Sequence, residues 1–111
     1  MSPRLNRALT LEAPVRVADG SGGYTESWQA LGTVWAEVSA RAGRSRDVNG
    51  LPLAQVSYRI TVRAAPVGAP SRPMPTQRFR EGTRLFRIEA VADRDPAGLY
   101  LTCHAREEAL S

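Results

Sequence analysis

The chain has 111 residues, 42% of them hydrophobic, and a formal net charge of +4. Its length fits a single domain over residues 1–111 with a modest core, and its hydrophobic content excludes a disordered chain. The lone Cys103 excludes an internal disulfide. No run approaches the about 18 apolar residues of a membrane span and no signal-peptide pattern is present, so we expect no membrane partner and synthesis in a reducing cytoplasm.

All fifteen basic side chains are arginines, because the sequence contains no lysine. A GC-rich genome would favour arginine codons without any selection for function. Guanidinium groups nevertheless suit carboxylates, phosphates and protein interfaces better than ammonium groups do. The charge therefore suggests partners without identifying them.

Two strands are predicted in the first third of the chain. In the first, apolar residues alternate with polar ones, and Pro14 indicates a sheet edge or a bulge. One face carries Leu9, Leu11, Ala13, Val15 and Val17, and the other carries Thr10, Glu12 and Arg16. The turn "ADGSGG" leads into "YTESWQALGTVWAEVSA", a longer strand with an expected interruption near Gly32 and one face formed by Val34, Ala36 and Val38.

Three further segments have strand patterns. "LAQVSYRITVRAAP" places Val56, Tyr58, Ile60 and Val62 on one face and Ser57, Arg59, Thr61 and Arg63 on the other. After the proline-rich loop "PVGAPSRPMPTQ", the run "TRLFRIEAVA" is predicted to be a central strand, with Phe86, Ile88 and Ala90 opposite Leu85 and Val91. "LYLTCHA" directs Leu99, Leu101, Cys103 and Ala105 inward. The pattern predicts an all-β fold, a small antiparallel β-barrel or sandwich of about six strands.

The residues needed for catalysis or metal binding are sparse. Cys103 and His104 are adjacent in a predicted strand and point to opposite faces, so they cannot form a nucleophile and base pair. Asp93 and Asp95 flank a turn beside Pro96, and an aspartate before a proline is common in turns. No metal-ligand spacing or phosphate-binding glycine loop is present. We therefore predict no catalytic, cofactor-binding or metal-binding residues and regard an enzyme as the least favoured class.

A small β-barrel nucleic-acid-binding module is an alternative, because such barrels combine basic grooves with exposed aromatic rings. The seven aromatic residues are scattered, however, and Tyr58 and Phe86 fall on predicted core faces. Arg59 and Arg63 form an outward row on the clearest strand. That row fits a solvated face or a contact surface for another protein.

The ordered series "LNRALTLEAPV", "DGSGGYTESW", "GTVWAEVSARAGR", "VSYRITVRA", "RLFRIEAVAD" and "LYLTCHARE" resembles the bacteriophage head-tail joining family, also called head-tail adaptor, head-closure or stopper proteins. The resemblance extends from about Leu5 to Glu108. It implies a small β-barrel and a homo-oligomeric ring of six or twelve subunits in the virion of a tailed phage, prophage or gene transfer agent. The ring would lie between the portal or an adaptor ring and the tail terminator or tail tube, around packaged double-stranded DNA.

The resemblance also implies a channel or stopper loop between the second and third strands, at about Arg41 to Pro52. The candidate residues of this loop are Arg41, Gly43, Arg44, Arg46, Asp47, Asn49 and Gly50, and Gly43 and Arg44 match the "GR" of the family. The continuation "SRDVNGLP" departs from the helix-forming run of many relatives and predicts a flexible, non-helical loop. Candidates for contacts between subunits or rings are Arg59, Arg63, Trp28 and Trp35.

Overall fold

The computed structural model describes residues 2–41, 46–48, 51–53 and 57–108, with backbone alone for 46–48 and 51–53. These residues form strands and connecting turns without a helix. The strands are β1 (Arg7–Ala18), β2 (Tyr24–Arg41), β3 (Arg46–Val48), β4 (Leu51–Leu53), β5 (Ser57–Arg63), β6 (Arg78–Glu81), β7 (Arg84–Asp93) and β8 (Tyr100–Glu108).

Six of the strands form one antiparallel sheet that closes on itself as a barrel, in the order β1, β2, β5, β8, β7, β6. The closure is made by β6, which pairs with β7 on one side and with Thr10–Glu12 of β1 on the other. The predicted all-β barrel is therefore confirmed. The sequence pattern did not identify the four-residue strand β6, which is too short to show an alternation.

The core lies inside this closed sheet and follows the predicted alternation. Its largest fully buried side chains include Phe79, Phe86, Leu9, Leu11 and Ile60. Leu101, Cys103 and Ala105 of β8 are also buried, as predicted. The expected inward position of Leu99 is wrong: β8 begins at Tyr100, and Leu99 is 59% exposed in the preceding turn. Val56 lies outside the described residues.

A β-bulge in β7 changes the predicted faces of that strand. The register with β8 shifts between Ile88 and Ala90, so Ala90 lies opposite the exposed His104 and Val91 lies opposite the buried Cys103. Val91 packs against the core and Ala90 is exposed, the reverse of the prediction. The alternation of apolar and polar residues in the sequence does not reveal such an inserted residue. The bulge exchanges the two faces of the strand for all residues beyond it.

A second bulge lies where β1 and β2 leave the body of the barrel. The partner of Leu11 is Gly32 and that of Glu12 is Ala30, which leaves Leu31 as the extra residue. The strand β2 continues through this point, so the expected irregularity near Gly32 is a bulge inside one strand. Gly32 has a φ of 145°, a backbone conformation that side-chain-bearing residues rarely adopt.

Beyond this bulge the two strands project as a ribbon, here called the arm, formed by Ala13–Ala18, the turn 19–23 and Tyr24–Gln29. Its strands pair with each other, and among the described residues no third strand pairs with either outer edge. Pro14 lies in this part of β1, in agreement with the predicted sheet edge. The radius of gyration of 15.6 Å exceeds the about 13 Å of a compact chain of this length.

The opposite end of the barrel, here called the β5 end, contains the end of β2 and the start of β5. Between these strands β3 and β4 form a separate antiparallel hairpin, with Arg46 opposite Leu53 and Val48 opposite Leu51. The barrel thus carries the arm at one end and a second hairpin at the other.

Candidate functional site

The predicted channel loop lies between the second and third strands of the closed sheet. Arg41 is exposed and is the last residue of β2. Arg46 and Asp47 lie in β3. Gly43, Arg44, Asn49 and Gly50 lie outside the described residues. In its described part the stretch is a β-hairpin and not a helix.

An ion-pair network closes the barrel interior at this β5 end. Arg7 pairs with Glu81, and Arg84 Nε donates to Glu107 Oε2 at 2.9 Å. The Tyr58 hydroxyl donates to Glu107 Oε1 at 3.0 Å and accepts from an Arg84 nitrogen at 3.1 Å. These contacts provide hydrogen-bond partners for the polar side chains next to the core. Through Tyr58 they also hold the first residues of β5 in place.

The network also sets the protonation of its acidic members. The hydrogen bond from Arg7 lowers the pKa of Glu81, and the hydrogen bond from Arg84 lowers the pKa of Glu107. The pKa of Tyr58 is raised by burial and by its hydrogen bond to Glu107. The carboxylates are therefore held in the ionised form that pairs with the arginines.

Arg41, Arg59 and Arg63 are distributed along the outer face of β2 and β5, here called the open arginine row. The register places Arg41 opposite Ser57 and Arg59 opposite Ser39 and His104. Arg59 and Arg63 are four residues apart on one strand, so their Cα atoms are separated by about 13 Å. Within the described part of the chain, none of the three makes an ion pair.

Trp35 and Arg63, both candidates for contacts between proteins, line one open groove of about 480 Å³. The groove forms where β5 diverges from β2, just beyond the pair of Ala36 and Val62. Trp35 is 57% exposed. The lining residues are Leu5, Val34, Trp35, Val62, Arg63, Ala64, Ala65 and Ser71. Exposed tryptophan beside an arginine and small apolar residues is typical of protein contact sites.

Trp28 lies elsewhere, in a cluster that the sequence did not reveal. Its ring packs against the Arg78 guanidinium at 3.9 Å, and Arg78 Nε lies 2.7 Å from an oxygen of Glu12. Arg80 reaches the other Glu12 oxygen at 3.1 Å. Glu12 was expected on a solvent face but is 4% exposed, because β6 covers it with two arginines. Trp28 therefore has a packing role within the chain.

Cys103 and His104 point to opposite faces, as predicted. Cys103 is fully buried, and burial raises the pKa of its thiol to about 12. His104 is exposed beside Arg59 in the register. Asp95 accepts hydrogen bonds from the backbone of Leu99 and Tyr100, as expected of a turn residue.

Residues 2–41 and 57–108 hold no group of three or more potential metal ligands. In the same part, no helix has the length and hydropathy needed to cross a membrane.

The aromatic side chains do not form a base-stacking platform in the described part of the chain. Phe79 and Phe86 are buried, and Tyr58 packs edge-on against Phe86 with ring centroids 5.0 Å apart. Tyr24 is 65% exposed on the arm, where the Arg16 guanidinium lies 5.3 Å from the centre of its ring, and Trp35 lies in the groove. This distribution offers protein contact sites more readily than a row of rings for nucleotides.

The sequence matches the model of the phage head completion protein family over residues 1–108. A comparison with curated proteins gives no match. One similar solved chain, from the structure entitled "Virion of native gene transfer agent (GTA) particle", is 60% identical, with a TM-score of 0.83 and coverage of 99% of this chain and 100% of that chain. Protein SF1141 from Shigella flexneri 2a is 22% identical, with a TM-score of 0.68 and coverage of 97% and 96%, and it shares the fold.

Proposed function

From the premise that this chain belongs to the phage head completion protein family and is a structural virion protein, we propose that its copies form a ring between the portal and the tail. The ring contains six or twelve subunits. It docks on the portal or an adaptor ring, extends the DNA channel, and presents a platform for the tail terminator or tail tube. The protein is made in the cytoplasm of the bacterial host and acts at the head-tail interface.

The observation that carries the channel role is the β3–β4 hairpin, which continues the chain beyond the β5 end of the barrel. Arg41 precedes it, and Arg44 and Arg46 belong to the same stretch. In a ring each of these arginines becomes a circle of positive charge. Such a circle attracts passing double-stranded DNA through its phosphates without reading the sequence.

The parent particle is a tailed phage or a phage-derived particle such as a gene transfer agent. The support is the 60% identity over nearly the whole chain with a component of a gene transfer agent virion. A chain that similar in length and fold can occupy the same kind of position in its own particle.

The test is to replace Arg41, Arg44 and Arg46 by serine in particles whose only copy of this protein is the variant. The proposal predicts particles that lose packaged DNA or fail to join tails, because the channel has lost three positive charges per subunit. DNA retention is measured as nuclease-resistant DNA per head, and joining is measured by counting tailed particles in electron micrographs.

The matched control replaces Arg4, Arg87 and Arg106 by serine. It removes the same charge from exposed positions, where ion pairs contribute little to stability. We expect near-normal DNA retention from the control. Equal losses from both variants would show that net charge, and not the hairpin stretch, matters. Normal particles from the first variant, or normal joining without the protein, would contradict the proposal.

A further inference from the structure

We infer that the groove beside Trp35 receives the arm of a second copy of this chain. The inference rests on the proposed ring and identifies the contact that builds it. It follows from two surfaces, the arm and the groove, that the described residues of one subunit leave uncovered.

The arm is supported by its own subunit at its base, where Trp28 packs against Arg78, and its outer part lacks such a contact in the described part of the chain. Its two strands pair only with each other among the described residues, and a two-stranded ribbon is marginally stable in water without a further packing partner. Val17 is 48% exposed and Tyr24 is 65% exposed. Such a ribbon gains stability when another surface covers it.

The two faces of the arm differ in chemistry. One face is uncharged and is formed by Ala13, Val15, Val17, Thr25, Ser27 and Gln29. The other face carries Arg16 and Glu26 opposite each other in the register. Arg16 packs over the Tyr24 ring at 5.3 Å, and Glu26 makes no ion pair with a described residue.

The groove has the complementary character. Arg63 is the charged member of an otherwise apolar or small lining, and it makes no ion pair within the described part of the chain. Between the arm and the groove, the outer edge of β2 is unpaired from Ala30 to Trp35 among the described residues. An incoming arm would cover Trp35, pair with this edge, and bring Glu26 to Arg63.

The geometry of the contact favours a ring. The arm and the groove are different surfaces of the same chain, so their contact is head-to-tail and leaves a free arm and a free groove on every short oligomer. Such contacts close into rings when the rotation between subunits permits. A symmetric contact between two identical surfaces would stop at a dimer.

The experiment introduces cysteines at Glu26 and Arg63 of one chain and treats assembled particles with a short bis-maleimide crosslinker. Cys103 does not interfere, because it is buried and its thiol stays protonated at neutral pH. We expect a ladder of dimers, trimers and larger species on a denaturing gel. The single variants Glu26→Cys and Arg63→Cys should give no ladder.

Charge reversal provides a functional readout. Glu26→Arg or Arg63→Glu alone should lower the yield of tailed particles at least about tenfold, because like charges would meet at the contact. The double variant should restore the yield to within about threefold of the parent, since the pair is then reversed. The melting temperature of the isolated variants should remain unchanged, because these charges lack ion-pair partners within the described part of the subunit.

Several outcomes would overturn the inference while leaving the proposed function intact. In the crosslinking experiment, these outcomes are tailed, DNA-filled particles that give no ladder, crosslinked species that stop at dimers, and a crosslink from Arg63→Cys to a protein of different mass. In the charge-reversal experiment, they are single variants with normal particle yield and a double variant that does not restore the yield. Particles that join tails without this protein would instead contradict the proposed function itself.

Discussion

The arginines on the two sides of the barrel differ in what surrounds them. Six arginines of β1, β6, β7 and β8 form ion pairs with glutamates, and the most buried of these glutamates is Glu12, which pairs with Arg78 and Arg80. The open arginine row on β2 and β5 has no such partner among the described residues. Arginine side chains therefore stabilise the subunit on one side of the barrel, and on the opposite side they remain available to other molecules.

This difference shows why net charge is a poor guide to function in this chain. The formal charge of +4 is small, but it is the remainder of many internal pairs. In the described part of the chain, three arginines without an ion pair lie on β2 and β5, and one of them, Arg63, lies beside the exposed Trp35. A partner therefore meets a local basic surface that the net charge understates.

The largest effect on stability is expected at Glu12. Glu12→Ala should lower the free energy of unfolding by about 3 kcal/mol, because it leaves the guanidinium of Arg78 partly buried without its carboxylate. Urea unfolding followed by tryptophan fluorescence measures the change. The control Glu108→Ala, which breaks the exposed pair with Arg87, should cost at most about 0.5 kcal/mol. Equal costs for both variants would remove the distinction between buried and exposed pairs.

A smaller effect is expected on the acid dependence of stability. The pKa values of Glu81 and Glu107 are lowered in the folded protein by hydrogen bonds from Arg7 and Arg84. Their contribution is therefore present above the unfolded glutamate pKa of about 4.3 and is lost as the pH falls through their lower folded values. The double variant Glu81→Gln, Glu107→Gln should lose less stability between neutral pH and this acid range than the parent does.

The acid test has a matched control in Glu26→Gln, Glu89→Gln, which removes two exposed carboxylates outside the network. This control should keep the steep acid loss of the parent. Urea unfolding midpoints at a series of pH values give the comparison. A parent-like acid profile for the Glu81 and Glu107 variant would mean that the network does not contribute to acid sensitivity.

The smallest effect on stability is expected in the open arginine row. The double variant Arg59→Gln, Arg63→Gln should change the free energy of unfolding by at most about 0.5 kcal/mol, as surface substitutions usually do. The yield of tailed particles should nevertheless fall, because in the proposed ring Arg63 would meet Glu26 of a neighbouring copy. If this double variant were strongly destabilised and still gave a normal particle yield, the open arginine row would stabilise the subunit and would not contact other molecules.

Much of the fold could be predicted because the core strands alternate regularly. The alternation of apolar and polar residues alone predicts Ile60 and Val62 in the core, and both are buried. The alternation failed at Ala90 and Val91, because one inserted residue in β7 exchanges the faces. It also misplaced Glu12, since β6, the strand that covers it, is too short to be recognised.

The candidate site was predictable only in part. An outward row of Arg59 and Arg63 follows from alternation, but the groove that joins Arg63 to Trp35 depends on where β5 leaves β2. That divergence is a property of the closed sheet and has no local sequence signal. Trp28 and Trp35 look equivalent in the sequence, yet one packs against Arg78 inside the subunit and the other is exposed.

The extra residue Leu31 controls the direction in which the arm points. A bulge increases the local twist of a strand pair, and this one lies between the body of the barrel and the arm. Removing Leu31 would restore a regular ladder and keep every pair and both faces of the arm, while the arm would leave the barrel at another angle. In the proposed ring this single residue would therefore set the angle between neighbouring subunits, and its removal would change the number of subunits that close the ring without changing the barrel or the contact chemistry.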